Sequence, residues 1–196
     1  MRTRYLSVDP YMRGRMRDAE FYADPWEVGG VMRAGVVGDV VEWLTDDLGF
    51  DDAVDYSAAD DLYAAVGDAC PEGVDVYFDN VGGEIADAAF AHLNVRGRVA
   101  VCGQISQYNA TEQPTGPRKL GGLIETRARV QGFLVSDFAA RADEATERLA
   151  EWIEAGDVQY RETVTEGFEN APEAFMGLFE GVNIGKQVVK VEAGED

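Results

Sequence analysis

The ten residues "VDVYFDNVGG" at positions 74–83 decide the fold class of this chain. Four of the first five are valine or aromatic, which predicts a buried strand that ends near Asp79. Gly82 and Gly83 allow the backbone to turn closely, and a helix-like stretch follows them. A strand that turns directly into a helix forms a crevice, and in open α/β sheets such crevices hold ligands. We therefore expect an α/β protein with a ligand site after residue 79.

The amino-acid composition limits which kinds of fold and partner the chain can have. The chain has 196 residues, of which 46% are hydrophobic, so it can bury a core and form one or two domains. Its formal net charge of -20 excludes nucleic acid as a partner, because a phosphate backbone needs a basic surface.

The acidic residues are spread along the chain, and lysine occurs only at positions 119, 186 and 190. Dispersed acid with little lysine is typical of a protein from a high-salt cytoplasm, where ions screen self-repulsion. The alternative is an ordinary acidic cytosolic enzyme. We favour the high-salt, halophilic interpretation, because so even a spread of acid would strain a compact fold at low salt.

The chain has two cysteines, one histidine and no long uninterrupted apolar segment. Cys70 and Cys102 do not make a disulfide framework in a chain of this length. With one histidine, the sequence offers no metal-ligand cluster, so we expect no metal site. The N-terminus has no apolar signal segment, and no run is long enough to cross a membrane. These observations predict a soluble cytoplasmic protein without a membrane partner.

Predicted strands and helices alternate after residue 43, which indicates a parallel sheet. The predicted strands lie at 53–56, 74–79, 96–102, 128–135 and 186–192, and the predicted helices at 57–69, 84–93, 137–156 and near 171–180. Before residue 43, glycine and valine alternate in "VGGVMRAGVVGDVVE", which is typical of a bent barrel strand.

Four long segments carry a resemblance to a known family. They are "YLSVDPYMRGRM" at 5–16, "DVYFDNVGG" at 75–83, "GRVAVCGQISQYN" at 97–109 and "GFENAPEAFMGLFEGVNIGKQVVKV" at 167–191. Together they resemble the zinc-independent, prostaglandin reductase-like double-bond reductases of the medium-chain dehydrogenase/reductase superfamily. The resemblance implies a GroES-like substrate domain around a dinucleotide-binding domain. It also implies hydride transfer from NADPH to the β-carbon of an α,β-unsaturated ketone or aldehyde.

The chain departs from the family at its start and near residue 42. It resembles the family with the N-terminus and the first part of the nucleotide-binding domain removed, including the glycine-rich phosphate turn. We therefore predict a partial Rossmann-type parallel sheet with a fragment of a GroES-like β domain. Residues 1–42 would be that fragment, 43–191 an incomplete dinucleotide-binding domain with a C-terminal return segment, and 192–196 a tail. The loss would expose one edge of strand 74–79, so we expect a homo-oligomer.

The resemblance also assigns residues to the cofactor. It implies contacts from Tyr56 at the adenosine-phosphate end, Asn80 at the nicotinamide ribose, Cys102, Gly103 and Tyr108 along the nicotinamide, Phe133, Leu134 and Val135 against it, and Asn183 at the carboxamide. The family's lysine for the 2′-phosphate lies in the missing part, so these residues do not distinguish NADP from NAD.

Tyr108 is the candidate catalytic residue, because a tyrosine hydroxyl can donate a hydrogen bond to a developing enolate oxygen. Alternatively it is a loop tyrosine that only shields the site. We expect Ser106 and Asp79 to bond the turns rather than to react, and His92 to be structural.

Two functions of different class follow. The first is an NADP-dependent reductase of enones, with activity impaired by the missing segment. The second is a non-catalytic remnant that acts, if at all, as an oligomerising α/β module, because function depends on the site rather than on the family.

Overall fold

In the computed structural model, the structure describes residues 5–7 and 50–191. The strands are β1 (Tyr5–Ser7), β2 (Val74–Asp79), β3 (Leu93–Val101), β4 (Arg129–Gly132), β5 (Glu162–Glu166) and β6 (Lys186–Lys190). The α-helices are α1 (Leu62–Ala69), α2 (Gly83–Ala91), α3 (Gly122–Thr126), α4 (Ala142–Ala155) and α5 (Ala171–Gly177). The chain divides into two compact units, one of Met1–Val40 with Tyr160–Asp196 and one of Val41–Gln159.

The unit Val41–Gln159 contains a parallel sheet of three strands in the order β2-β3-β4. Val99 of β3 pairs with Tyr77 on one side and with Val130 on the other. The prediction that strands near 74–79, 96–102 and 128–135 pair with one another is confirmed, and the α/β class with it.

Helix α2 connects β2 to β3, and its small side chains form much of this unit's core. Ala88 and Ala89 are buried on α2, and Leu93 and Val99 are buried on β3. Alanine stabilises the helix and lets it approach the strands closely. The crossover therefore places the start of α2 beside the carboxyl ends of β2 and β3.

The unit that holds the chain's end has its own sheet, in the order β1-β6-β5. β6 is antiparallel to β1 and parallel to β5. Val188 and Val189 of β6 pack in a core with Ala174, Phe175 and Leu178 from α5 and the turn after it. The final strand was predicted, whereas β5 was not, because "ETVTE" is polar and only its alternate residues turn away from solvent.

Two elements differ from the sequence prediction. Residues 53–56 form no strand, and the first helix begins at Leu62 rather than at Ser57. Ser57 does not cap the helix, because its Oγ donates to Asp55 Oδ1 at 2.6 Å in a local turn. Asp61 caps instead, and its Oδ1 accepts from the Ala64 N–H at 3.1 Å.

The long C-terminal helix is shorter than predicted at its start. Val135–Arg141 forms a 3-10 helix, and α4 follows it. Gly156 ends α4 with a left-handed φ of 80°, as the sequence predicted.

Strand β2 is at an edge of its sheet among the described strands. Val76 and Phe78 project from one face of β2 and are 57% and 55% exposed. As predicted for "VDVYFD", no strand of the described part of the chain pairs with the outer edge of β2.

The predicted barrel strand, the helix that Gly49 would cap and the tail 192–196 all lie outside the described residues. Within 5–7 and 50–191, no helix is both long and apolar enough to span a membrane.

Candidate active site

Asp79 holds the turn that follows β2. Its side chain is 2% exposed, and Oδ1 accepts hydrogen bonds from the Val81 N–H at 2.9 Å and the Gly82 N–H at 2.8 Å. The Tyr77 hydroxyl donates to the same oxygen at 2.9 Å. Asp79 therefore braces the crevice, as expected, and its carboxylate is occupied by the turn.

Gly82 and Gly83 let the loop after β3 approach this turn. Their φ angles are 69° and 58°, a region that residues with a Cβ rarely adopt. A Cβ on Gly82 would lie 3.0 Å from the Gln104 side chain, and one on Gly83 would lie 3.0 Å from Ser106 Oγ. The two glycines in "VDVYFDNVGG" thus serve close contact between two loops.

Backbone hydrogen bonds join these two loops along their length. The Gly103 N–H donates to the Asp79 carbonyl at 3.0 Å, and the Ile105 N–H donates to the Asn80 carbonyl at 3.1 Å. Ser106 Oγ donates to the Val81 carbonyl at 2.6 Å. The carboxyl ends of β2 and β3 therefore form one rigid rim, and Ser106 has the backbone role that the sequence predicted.

Asn80, Gly103 and Tyr108 converge on this rim. A Cβ on Gly103 would lie 3.1 Å from the Tyr108 hydroxyl oxygen and 3.3 Å from the Asn80 carbonyl oxygen. The Gln104 N–H donates to the Tyr108 hydroxyl at 3.2 Å. Because that bond uses a lone pair of the hydroxyl oxygen, it leaves the phenolic proton available for donation.

Two acids of the rim have shifted pKa values. Burial raises the pKa of the Tyr77 phenol, and the hydrogen bond to Asp79 adds to that shift. Burial also raises the pKa of the Cys102 thiol. Both groups are protonated at neutral pH, so Cys102 is not an activated nucleophile.

Phe133 follows β4 and contacts two other aromatic rings. Its centroid lies 5.9 Å from that of Phe78 and 5.8 Å from that of Phe138, both in edge-on geometry. Leu134 is 38% exposed and Val135 is 84% exposed. The three predicted residues thus lie at the same edge of the sheet as the rim, and they offer apolar surface to a ligand.

Tyr56 lies in a different setting. It lines an open cavity of about 410 Å³ together with Tyr63, on the side of α1. Four carboxylates also line this cavity, namely Asp60, Asp61, Glu84 and Asp87. Their charge would repel a phosphate group, so the cavity does not favour the predicted contact of Tyr56 with an adenosine phosphate.

Asn183 belongs to the other compact unit. It is 3% exposed, and its Nδ2 donates to the Gly185 carbonyl at 2.8 Å. Its amide therefore stabilises its own turn, and the predicted contact with a carboxamide stays a prediction.

His92 has a structural contact. It follows α2, and its Nε2 lies 2.8 Å from the Tyr63 carbonyl oxygen of α1. Among residues 5–7 and 50–191, no group of three or more His, Cys, Asp or Glu side chains is arranged to hold a metal ion.

Sequence reasoning missed the Tyr77–Asp79 bond and the bond from Gln104 to Tyr108. A signal for the first was present, because residues i and i+2 of a strand share a face, which allows the tyrosine to reach the carboxylate. The second depends on the path of a loop that no sequence pattern specifies.

Two family models match the chain. The model described as "Zinc-binding dehydrogenase" covers residues 48–189, and "N-terminal domain of oxidoreductase" covers residues 1–58. The first spans well over half of the chain.

Curated relatives give the same family. The NADPH-dependent curcumin reductase of Escherichia coli (strain K12) is 31% identical over 305 aligned positions, covering 100% of this chain and 88% of that protein. The 2-alkenal reductase (NADP(+)-dependent) of Nicotiana tabacum is 47% identical over 151 residues, covering 77% of this chain and 44% of that protein. The match with YfmJ of Bacillus subtilis (strain 168), 49% identical, covers 84% of this chain and 50% of that protein.

The chain therefore spans about half the length of several relatives that it matches. Because 196 residues occupy 305 aligned positions, at least 109 positions of the curcumin reductase alignment have no residue of this chain.

The fold is also that of solved relatives. CurA from Vibrio vulnificus in complex with NADPH superposes with a TM-score of 0.85 at 27% identity, covering 98% of this chain and 89% of that chain. From the family models, the relatives and the fold together, the chain belongs to the medium-chain dehydrogenase/reductase superfamily, in the reductase branch that the sequence predicted.

Proposed function

We propose that this chain is an NADP(H)-dependent oxidoreductase that reduces the C=C bond of α,β-unsaturated ketones or aldehydes. The family and the names of its relatives support the reaction class. The observation that carries the proposal is the rim where Asn80, Gly103 and Tyr108 converge.

Tyr108 is the proposed catalytic residue. Its hydroxyl oxygen accepts from the Gln104 N–H, which fixes the hydroxyl at the rim and leaves its proton free. That proton can form a hydrogen bond to the carbonyl oxygen of an enone as negative charge develops there. A fixed donor at a developing oxyanion contributes about 10²–10³-fold in rate in other enzymes.

The rim fits the nicotinamide end of the cofactor. Asn80, Cys102 and Gly103 would border it, and Phe133, Leu134 and Val135 would supply apolar surface. The contacts of Tyr56 with the adenosine end and of Asn183 with the carboxamide are proposed from the family resemblance alone. When bound, the nicotinamide supplies the hydride, and the chain's own residues orient it and exclude water.

The phosphate end fits less well. The cavity at Tyr56 is lined by carboxylates. The strand-to-helix turn at Gly82 and Gly83 is packed against Gln104 and Ser106, so it does not offer its glycines to a pyrophosphate. We therefore propose that NADPH binds weakly and that turnover is slow. Each tenfold loss of affinity corresponds to about 1.4 kcal/mol.

The test is a calorimetric titration of the full chain with NADPH and with NADH in molar salt. Consumption of NADPH with a simple enone is then followed under single-turnover conditions with excess protein. We expect weak binding of the cofactor and slow consumption of NADPH. Tyr108→Phe should reduce the rate of consumption with little change in NADPH affinity, whereas the exposed Tyr160→Phe should change neither. Binding at micromolar affinity or better would refute the weak-binding proposal.

The alternative function is a non-catalytic oligomerising module. The observation that favours it is the gap of at least 109 positions against the curcumin reductase. No consumption of NADPH at any protein concentration, together with no cofactor binding, would favour the module over the enzyme.

The remaining parts of the proposal are a zinc-independent mechanism, a cytoplasmic location, a high-salt environment and a homo-oligomeric assembly. The sequence supports the zinc-independent mechanism, because it contains one histidine and two well-separated cysteines as nitrogen and sulfur ligands. The net charge of -20 supports the high-salt environment.

A further inference from the structure

Four arginines line an open cavity at the amino ends of β3 and β4. Arg96, Arg98, Arg127 and Arg129 surround a volume of about 360 Å³, and among the described residues these four form its lining. The rim proposed for the cofactor lies at the opposite, carboxyl ends of the same strands. Arg98 and Gly103 are five residues apart, which corresponds to roughly 16 Å along a strand. The arginine cavity is therefore a separate place on the sheet.

The clustering is unusual in a chain with 17 basic and 37 acidic residues. Arg98 and Arg129 are register partners on adjacent parallel strands. Like charges directly opposite one another destabilise a sheet. In the part of the chain that the structure describes, no carboxylate forms an ion pair with any of the four, and Arg127 Nη1 donates to the main-chain carbonyl of Glu125 at 2.8 Å. Within residues 5–7 and 50–191, the four guanidinium groups thus have no carboxylate in ion-pair contact.

Two of the four arginines also have strained backbone. Arg96 has a φ of 69° and Arg127 a φ of 54°, and they are the only non-glycine residues with positive φ among those described. This left-handed region costs a residue with a Cβ roughly 1–2 kcal/mol. Glycine or asparagine would relieve the strain, yet both positions carry an arginine whose side chain lines the cavity.

From the charge cluster, the register and the strain together, we propose that this cavity binds a phosphate group. A guanidinium offers parallel N–H donors that match two phosphate oxygens, and several such groups around one cavity can engage all terminal oxygens at once. A bound dianion would also relieve the repulsion between Arg98 and Arg129. The ligand is either inorganic phosphate or a phosphate group carried on a small organic molecule. This site is independent of the proposed reductase function.

The experiment uses the full chain labelled with ¹⁵N and follows the arginine Nε–Hε signals. Potassium phosphate replaces potassium chloride at constant ionic strength, and AMP and adenosine are titrated in parallel. We expect saturable shifts with phosphate and with AMP and none with adenosine. Tighter binding of AMP than of phosphate would identify a phosphate on an organic carrier as the source, and equal or weaker binding would identify the free anion.

The variants locate the site. Arg98→Gln with Arg129→Gln should weaken phosphate binding by about tenfold or more, because two charge-assisted forks are lost. Arg148→Gln is the matched control, because Arg148 stacks on Trp152 at 5.4 Å in α4 and its loss should leave phosphate binding unchanged. Should the double variant fail to fold, Arg129→Lys keeps the charge but removes the fork, and it should weaken binding severalfold.

Three results would overturn the proposal. They are shifts that grow linearly without saturation, shifts that also occur with adenosine, and a double or Arg129→Lys variant that titrates like the unmodified chain. Stability in phosphate-free buffer separates the proposed ligand site from a merely structural arginine cluster. If the arginines serve a ligand, the double variant should be at least as stable as the unmodified chain, because the like-charge pair is gone. If they serve the fold, the double variant should be less stable.

Discussion

Ser106 Oγ donates a 2.6 Å hydrogen bond to the main-chain carbonyl oxygen of Val81. The Ser106 N–H donates to the same oxygen at 3.1 Å. One residue of the loop after β3 therefore makes two bonds to the turn after β2. The orientation of the rim depends on this pair.

Ser106→Ala removes the side-chain bond and keeps the backbone bond. We expect it to lower the free energy of unfolding by about 1 kcal/mol, the usual net contribution of one hydrogen bond. It should also weaken NADPH binding further, because the loop that carries Tyr108 loses an anchor. Denaturant unfolding checks the first effect and calorimetry the second. Ser136→Ala, in the exposed 3-10 helix, is the control. Equal unfolding free energies for the two variants would contradict the anchoring role.

Gly83→Ala tests the close approach of the two loops. Gly83 has a φ of 58°, and an added Cβ would lie 3.0 Å from Ser106 Oγ. Alanine in this region is strained and must displace Ser106, so we expect a loss of about 1 kcal/mol or more. Gly122→Ala is the matched control, since Gly122 has a helical φ of -60° and nothing within 4 Å of its added Cβ. That change should be neutral or stabilising, and a Gly83→Ala variant as stable as Gly122→Ala would show that the loops do not need the glycine.

Tyr77→Phe tests the pH dependence of the brace. Burial and Asp79 raise the folded-state pKa of Tyr77 above its unfolded value near 10. Below about pH 10 both states keep the proton, so the contribution to stability is fully present. As the pH rises above 10, the unfolded state loses this proton first, and stability falls. The unmodified chain should therefore lose melting temperature more steeply than Tyr77→Phe between pH 9 and 11. Parallel curves for the two proteins would contradict the shifted pKa.

The sequence predicted the parts of the fold that depend on short patterns. The run at 74–79, the alternation of strands and helices and the cap at Gly156 all came from local chemistry, and the parallel sheet followed from them. Asp79 and Ser106 were also assigned to turn bonding, because short polar side chains at a strand end compete well for nearby backbone groups.

The rest depends on contacts that a pattern does not contain. Residues 53–56 read as a strand, yet no neighbouring strand pairs with them in the described part of the chain, and Asp55 bonds Ser57 instead. The bond from Gln104 to Tyr108 depends on a loop path, and the arginine cavity depends on the register of β3 with β4. Register and loop path are set by tertiary packing, so local propensity did not reveal them.

Salt should stabilise this fold. The chain carries a net charge of -20, and only a few described ion pairs, such as Lys190 with Glu166 at 2.9 Å, offset its acid. At low ionic strength the Debye length grows to about 30 Å at 0.01 M, so repulsion acts across the whole molecule. We expect the melting temperature to rise from dilute buffer to molar potassium chloride. An unchanged melting temperature would refute the high-salt interpretation.

The edge of β2 should mediate self-association. β2 is an edge strand among those described, and Val76 and Phe78 on it are more than half exposed. An edge with unpaired backbone groups and apolar side chains recruits another strand, and a lysine on such an edge blocks the pairing. We expect a dimer or larger species by light scattering in molar salt, and Val76→Lys should shift it toward the monomer. Val182→Lys is the matched control, because Val182 is 69% exposed and belongs to the other compact unit. A monomeric unmodified chain at high protein concentration would contradict the assembly, and equal dissociation by both lysine variants would place the interface elsewhere.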